Sequence, residues 1–355
     1  MRRLLIVVLT ALLPTLLNAQ DVRNIILLIG DGMGLSAVTM MQFDDIDKKT
    51  IFDHSDNIAL TRTYSLDNRV TDSAAAGTAL ATGTKTNNTY LGITPDGRWL
   101  ESLTAYANKR GMATGLVVTT YLQHATPAAF YAHSENRHNY ADITRQLADS
   151  HIDVAIGGGM HYFKEEYGTE DSVARRLNKS GYTLVRDMES LSRCNPRQRV
   201  MALLADYDLG ADSGSYLAEA TGEALRLLDK RSEGNGFVLM VEGSLIDGMG
   251  HGNDAEAMKR EMRSFMGAVE CAVEYARQNP STLVVVTADH ETGGLSIVSG
   301  NADFNLSEQG IEYRWGTDGH SAQMVPVYLY GTGAECINGI MENSELGQRL
   351  KMLIE

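Results

Sequence analysis

The chain has 355 residues, 43% of them hydrophobic and 21% charged. That excludes a disordered or low-complexity protein and provides ample material for a core. A formal net charge of −14 excludes a nucleic-acid-binding surface, which needs a basic face against the phosphate backbone. It leaves a small phosphorylated substrate open, because bound metal charge can overcome a negative global field.

The first residues read as a signal peptide over 1–19. Arg2 and Arg3 precede an apolar stretch from Leu4 to Leu17, and Asn18-Ala19 offers a small-residue cleavage point before Gln20. The stretch is shorter than the ~20 residues of a membrane span. The expectation is therefore a periplasmic or secreted protein with no span in the mature chain. No cysteine follows the stretch to carry a lipid. Residues 20–355 are expected to form a single catalytic domain.

Apolar runs of strand length follow in order: Asn24–Ile29, Gly115–Thr119, Val154–Ile156, Phe237–Val241, Thr282–Thr287 and Val325–Tyr330. Unbroken apolar runs suit strands buried on both faces, as in parallel sheets. Helical periodicity lies between them at Leu217–Leu228 and Asp254–Gln278, and again at Ser344–Ile354. The alternation predicts an α/β fold, a doubly wound, mostly parallel sheet flanked by helices. Residues 160–235 lack a strong strand signal and are expected to be a helical excursion. Cys194, Cys271 and Cys336 match no zinc spacing, and their odd count leaves at least one free thiol.

Four polar signatures punctuate this pattern: Gly30-Asp31-Gly32-Met33-Gly34, Thr71-Asp72-Ser73-Ala74-Ala75, Asp247-Gly248-Met249-Gly250-His251 and Thr287-Ala288-Asp289-His290. His320 follows in Asp318-Gly319-His320-Ser321. Asp31, Glu242 and Asp289 each sit at the C-terminal end of a predicted strand, the edge where open α/β sheets bind ligands. Singly, each reads as a turn or cap residue. Together they would repel one another unless cations neutralised them. Asp247 and His251 are spaced i, i+4, and carboxylates mixed with imidazoles suit Zn²⁺. Ser73 opens a helical stretch, where it reads either as an N-cap or as a nucleophile beside bound metal. His54, His133, His138, His151 and His161 lie in ordinary surface-like contexts.

The run Thr71-Asp-Ser-Ala-Ala-Ala-Gly-Thr-Ala-Leu-Ala-Thr-Gly-Thr-Lys-Thr86, with the order of the other signatures, resembles the bacterial alkaline phosphatases. The resemblance implies two zinc ions and a third metal, usually Mg²⁺. Asp247, His251 and His320 match the ligands of the first zinc. Asp31, Asp289 and His290 match those of the second, with Ser73 completing it as nucleophile. Asp31, Thr126 and Glu242 match the third site, and Arg137 the arginine that clamps phosphate. Two positions depart. His124 stands where the enterobacterial-type enzyme has an aspartate, so the third ion could be Zn²⁺ or Co²⁺ as well as Mg²⁺. Gly248 stands where that enzyme has a lysine.

The implied activity is hydrolysis of small phosphate monoesters through a phosphoserine, with inorganic phosphate as product and broad tolerance of the leaving group. The family also admits a homodimer. The chain is short for the family, so crown-like insertions and a long N-terminal arm are expected to be missing. A phosphodiesterase or sulfatase on the same scaffold is the enzymatic alternative. A non-catalytic metal- or phosphate-binding protein is the other.

Overall fold

The computed structural model describes residues 22–43, 49–210, 214–300 and 310–355. The predicted signal peptide lies outside them. Fourteen strands are present among the described residues: β1 (24–30), β2 (57–62), β3 (113–121), β4 (154–158), β5 (182–185), β6 (199–203), β7 (237–243), β8 (282–287), β9 (291–292), β10 (296–299), β11 (311–314), β12 (320–321), β13 (325–331) and β14 (339–342). Ten of them form one sheet in the order β14-β2-β13-β8-β1-β7-β3-β4-β6-β5. β13 alone runs against its neighbours, β2 and β8, and every other pair is parallel.

The apolar runs are explained by burial on both faces. Ile25, Leu27 and Ile29 of β1 enter one core layer, whereas Ile26 and Leu28 enter the other. Val238 and Met240 of β7 alternate with Phe237, Leu239 and Val241 in the same way. Full burial of such side chains is worth roughly 1.5–3 kcal/mol each. Helices cover the two layers. The longest, Ala255–Gln278, begins at Asp254, whose side chain accepts from the Ala257 N–H. It buries Met262, Phe265, Val269 and Val273 and packs against the helix Tyr216–Arg231. Among the described residues no helix is long and apolar enough to cross a membrane, and all three cysteines are free.

Residues 160–235 differ from expectation, since β5 and β6 extend the sheet there. Both are short. β5 contains only four residues and is half-buried at the sheet edge. β6 opens on Arg199, whose guanidinium donates to the carbonyls of Ile152 and Ser180. After Arg199 the strand is an apolar run of only four residues, 200–203. The antiparallel β13 makes a related point. Its apolar run reports burial on both faces, which this strand has without parallel neighbours on either side.

Candidate active site

The strand ends that carry the predicted carboxylates are neighbours in the sheet: β8, β1 and β7 lie side by side. Asp31 follows β1 directly, Glu242 lies near the end of β7, and Asp289 lies two residues past β8. The turn after β1 needs glycine. Gly32 has φ +72°, and a Cβ there would fall 2.7 Å from Thr292 Oγ1. A Cβ on Gly34 would fall 2.2 Å from Glu291 Cγ. These glycines let the Asp31 turn lie against the segment that carries Asp289 and His290.

The result is a buried, acidic cluster. Asp31, Glu242, Asp289 and His290 are fully buried. His290 Nε2 faces Asp289 Oδ2 at 3.2 Å, Asp31 Oδ1 at 3.4 Å and Ser73 Oγ at 3.2 Å. His320 Nε2 lies 3.6 Å from Asp247 Oδ1, and His251 Nε2 lies 3.2 Å from Asp247 Oδ2. The His290 and His320 rings stack at 3.6 Å between centroids.

Hydrogen bonds behind the rings fix which nitrogen faces inward. His320 Nδ1 bonds the Thr71 carbonyl at 2.8 Å, and His251 Nδ1 bonds the Asp318 carbonyl at 2.6 Å. A carbonyl only accepts, so each Nδ1 carries a proton, and Nε2 is the nitrogen left to face a cation or, where it too is protonated, to donate to the carboxylate. Thr292 does the same for His290. Its hydroxyl donates to Asp247 Oδ1, leaving its own lone pair to accept from His290 Nδ1 at 3.2 Å. Three imidazoles thus aim Nε2 at carboxylates, and each would offer a lone pair there to a cation that displaced its proton, with Nδ1 anchored as in metal-binding histidines.

The cluster is also unsatisfied as it stands. Both Asp31 oxygens, Asp289 Oδ2, Glu242 Oε1, Thr126 Oγ1 and His124 Nδ1 are buried without a hydrogen-bond partner. Burial pushes the Glu242 carboxyl up to about 7, and burial with the nearby Asp289 pushes Asp31 well above the carboxylate range. Buried groups left this way are costly. Divalent cations would satisfy them, and the donors fall into three groups tight enough to hold one ion each. These are Asp247 with His290 and His320, Asp31 with Asp289 and His290, and Asp31 with His124 and Glu242. His251 stands outside these groups, on the far oxygen of Asp247.

Ser73 is the first residue of the helix Ser73–Thr82 and is not its cap. Asp72 takes that place, its Oδ1 accepting from the Ala75 N–H at 2.9 Å. The other oxygen, Oδ2, accepts from Arg137 Nη1 at 3.2 Å and from the Thr89 N–H at 3.0 Å. Arg137 Nη2 reaches His124 Nε2 at 3.2 Å. Ser73, Arg137, His124 and the carboxylates are therefore brought to one edge of the sheet.

The alkaline phosphatase family model matches residues 22–309. The chain belongs to the alkaline phosphatase family. Alkaline phosphatase 4 of Bacillus subtilis is 37% identical over 79% of this chain, which spans 64% of that relative's length. Alkaline phosphatase 3 of the same organism is 30% identical over 94% of this chain and 89% of its own length. The solved alkaline phosphatase of the Antarctic bacterium TAB5 is 34% identical, with a TM-score of 0.85 over 94% of this chain and 98% of that one. A histidine-to-aspartate variant of the TAB5 enzyme is described with Mg bound in its M3 site.

Two residues of this alkaline phosphatase family member escaped the sequence reading. Asp72 joins the helix cap to the Arg137 anchor, and its only signal was adjacency to Ser73. Thr292 fixes the His290 tautomer, and nothing but its position two residues on marked it. His133 also departs from the surface expectation. It is half-buried, stacked on Trp99 at 4.3 Å, with Nε2 on the Leu100 carbonyl.

Proposed function

We propose that the chain is an exported, metal-dependent phosphomonoesterase. In this reading Asp247, His251 and His320 hold one zinc ion, and Asp31, Asp289 and His290 hold a second. Asp31, Thr126, Glu242 and His124 hold a third ion, Mg²⁺ or a softer divalent metal. The observation that carries the reading is the Ser73 hydroxyl, 3.2 Å from His290 Nε2, at the mouth of a buried carboxylate cluster whose oxygens lack partners. Membership of a family of phosphatases supports it.

Divalent ions held there would lower the pKa of a bound hydroxyl or water and offset charge on the leaving oxygen. The chain's own residues supply the rest. Ser73 Oγ attacks phosphorus in line while the bond to the ester oxygen breaks on the far side, leaving a phosphoserine. Water then attacks that phosphoserine on phosphorus and frees Ser73. Arg137, held by Asp72, directs its planar fork at two phosphoryl oxygens. Phosphoryl transfer asks mainly for such positioning and charge stabilisation.

The test is hydrolysis of a chromogenic monoester with and without chelator, followed by zinc add-back, alongside a diester and a sulfate ester. Acid-quench trapping should find phosphate on Ser73 and none on Ser73→Ala. A faster rate on the diester or sulfate ester, or covalent phosphate in Ser73→Ala, would sink the reading.

A further inference from the structure

The same sheet edge carries a second feature that no catalytic role absorbs. Next to β7 in the sheet come β3, β4 and β6, and aromatic residues lie at or within four residues after the end of each. Tyr121 closes β3, His161 and Tyr162 begin the helix after β4, and Tyr207 follows β6. Tyr140 joins them from the helix Tyr140–Asp149, three residues past Arg137, with His138 between.

The rings are contiguous. His124 meets Tyr121 edge-on at 5.4 Å, and Tyr121 meets Tyr140 at 5.7 Å and Tyr162 at 4.9 Å. Tyr140 and Tyr162 lie 4.5 Å apart, His161 and Tyr207 4.4 Å. The hydroxyls of Tyr121 and Tyr140 bond at 3.1 Å, and His138 Nδ1 reaches Tyr140 at 3.4 Å. The shelf is braced from below, since the N–H groups of Met160 and His161 bond the carbonyls of Ala205 and Asp206. It begins at His124, in contact with Arg137, and runs outward to His138, which is exposed, and Tyr207, which is 50% exposed. A dent of about 70 Å³ opens between Tyr140 and Tyr162, rimmed by Glu165 and Glu166.

We propose that this shelf is a leaving-group subsite for planar aromatic or heteroaromatic alcohol phosphates, the base of a nucleoside monophosphate above all. The inference rests on the phosphomonoesterase reading and adds a preference to the broad tolerance expected from sequence. Ring faces stack on any planar base. The phosphate would lie at Arg137, and the shelf starts one residue away. Glu165 and Glu166 at the rim disfavour further phosphates and can accept from exocyclic amino groups. His138, Tyr162 and Tyr207 are specificity residues here and touch no reacting atom.

The test compares adenosine 5′-monophosphate with glycerol 3-phosphate in the zinc-loaded protein, in His138→Ala and in Tyr207→Ala. Each variant should lower the ratio of the two kcat/KM values by about five- to tenfold, through KM for the nucleotide, with glycerol 3-phosphate unaffected. Tyr207→Trp should restore the ratio. An unchanged ratio in both alanine variants overturns the shelf and leaves the phosphomonoesterase reading intact. If neither ester is hydrolysed that reading fails, and binding of adenosine itself decides. Weakened adenosine binding in the variants upholds the shelf, and equal binding overturns it.

Discussion

Thr292→Val isolates the role of one hydroxyl at the proposed zinc sites. Valine keeps the shape of threonine and removes both hydrogen bonds. His290 Nδ1–H is then stranded in a fully buried position, at a cost of roughly 1–3 kcal/mol. Asp247 loses less, because His251 still faces its other oxygen at 3.2 Å. The imidazole can escape the cost by moving its proton to Nε2, but that nitrogen is the one facing Asp31, Asp289 and Ser73. Either route weakens the metal site. Loss of such an outer partner costs about 10–100-fold in metal affinity, about 1.4–2.7 kcal/mol, in line with the stranded-donor figure. The assay is zinc affinity by competition with a chromogenic chelator. Thr292→Val should fall in that range and Thr292→Ser should stay near the parent. Parent-like affinity in Thr292→Val, or equal loss in the serine variant, would refute the argument.

Asp72→Asn should weaken phosphate inhibition several-fold with little change in thermal stability, because asparagine still caps the helix while Arg137 loses its charged partner. Arg137→Ala should weaken it by roughly 1.5–3 kcal/mol, measured as the inhibition constant. In chelated protein, thermal unfolding should occur at lower temperature as pH rises from about 6.5 to 9, above the range in which His124 and His320, both lowered by burial, gain stability with pH. Glu242, raised by burial to about 7, binds its proton more tightly folded than unfolded, which favours the fold by about 3 kcal/mol below 4.5 and not above 7. His251, raised to about 9 by its hydrogen bond to Asp247, contributes stability that is complete below 6.5 and lost through 9. Zinc needs deprotonated ligands, so zinc-loaded protein should show the opposite slope up to neutrality. Gly248→Lys should tighten phosphate inhibition, since a Cβ there meets nothing within 4 Å and the new ammonium is free to approach. His124→Asp should shift activation toward Mg²⁺, read from metal titration.

The central strands were legible because double-sided burial leaves an unbroken apolar run, as in β1, β7 and β8. The edge strands were not. β2 alternates exposed and buried residues over only six positions, and β14 is mostly exposed. Such segments are defined by their partners, not by their own pattern. The site divides in the same way. Asp31, Asp289 and His290 stood out because charged residues directly after buried strands are conspicuous. Thr292 and Asp72 work through a few hydrogen bonds, of which those to Asp247 and Arg137 span 45 and 65 residues, and no local period encodes such bonds.

His124 brings a constraint of its own. A neutral imidazole has one lone pair to give, and here two claimants flank it, the Arg137 guanidinium at Nε2 and the partnerless Nδ1 beside Asp31 and Glu242. While Arg137 donates to Nε2, the proton sits on Nδ1 and that nitrogen cannot bind a cation. Were a cation to be held at Nδ1, the proton would move to Nε2 and the arginine would have to let go. Filling the proposed third site and freeing the proposed phosphate clamp would then be one event, read out through a single ring. An aspartate at that position has lone pairs for both and would sever the link.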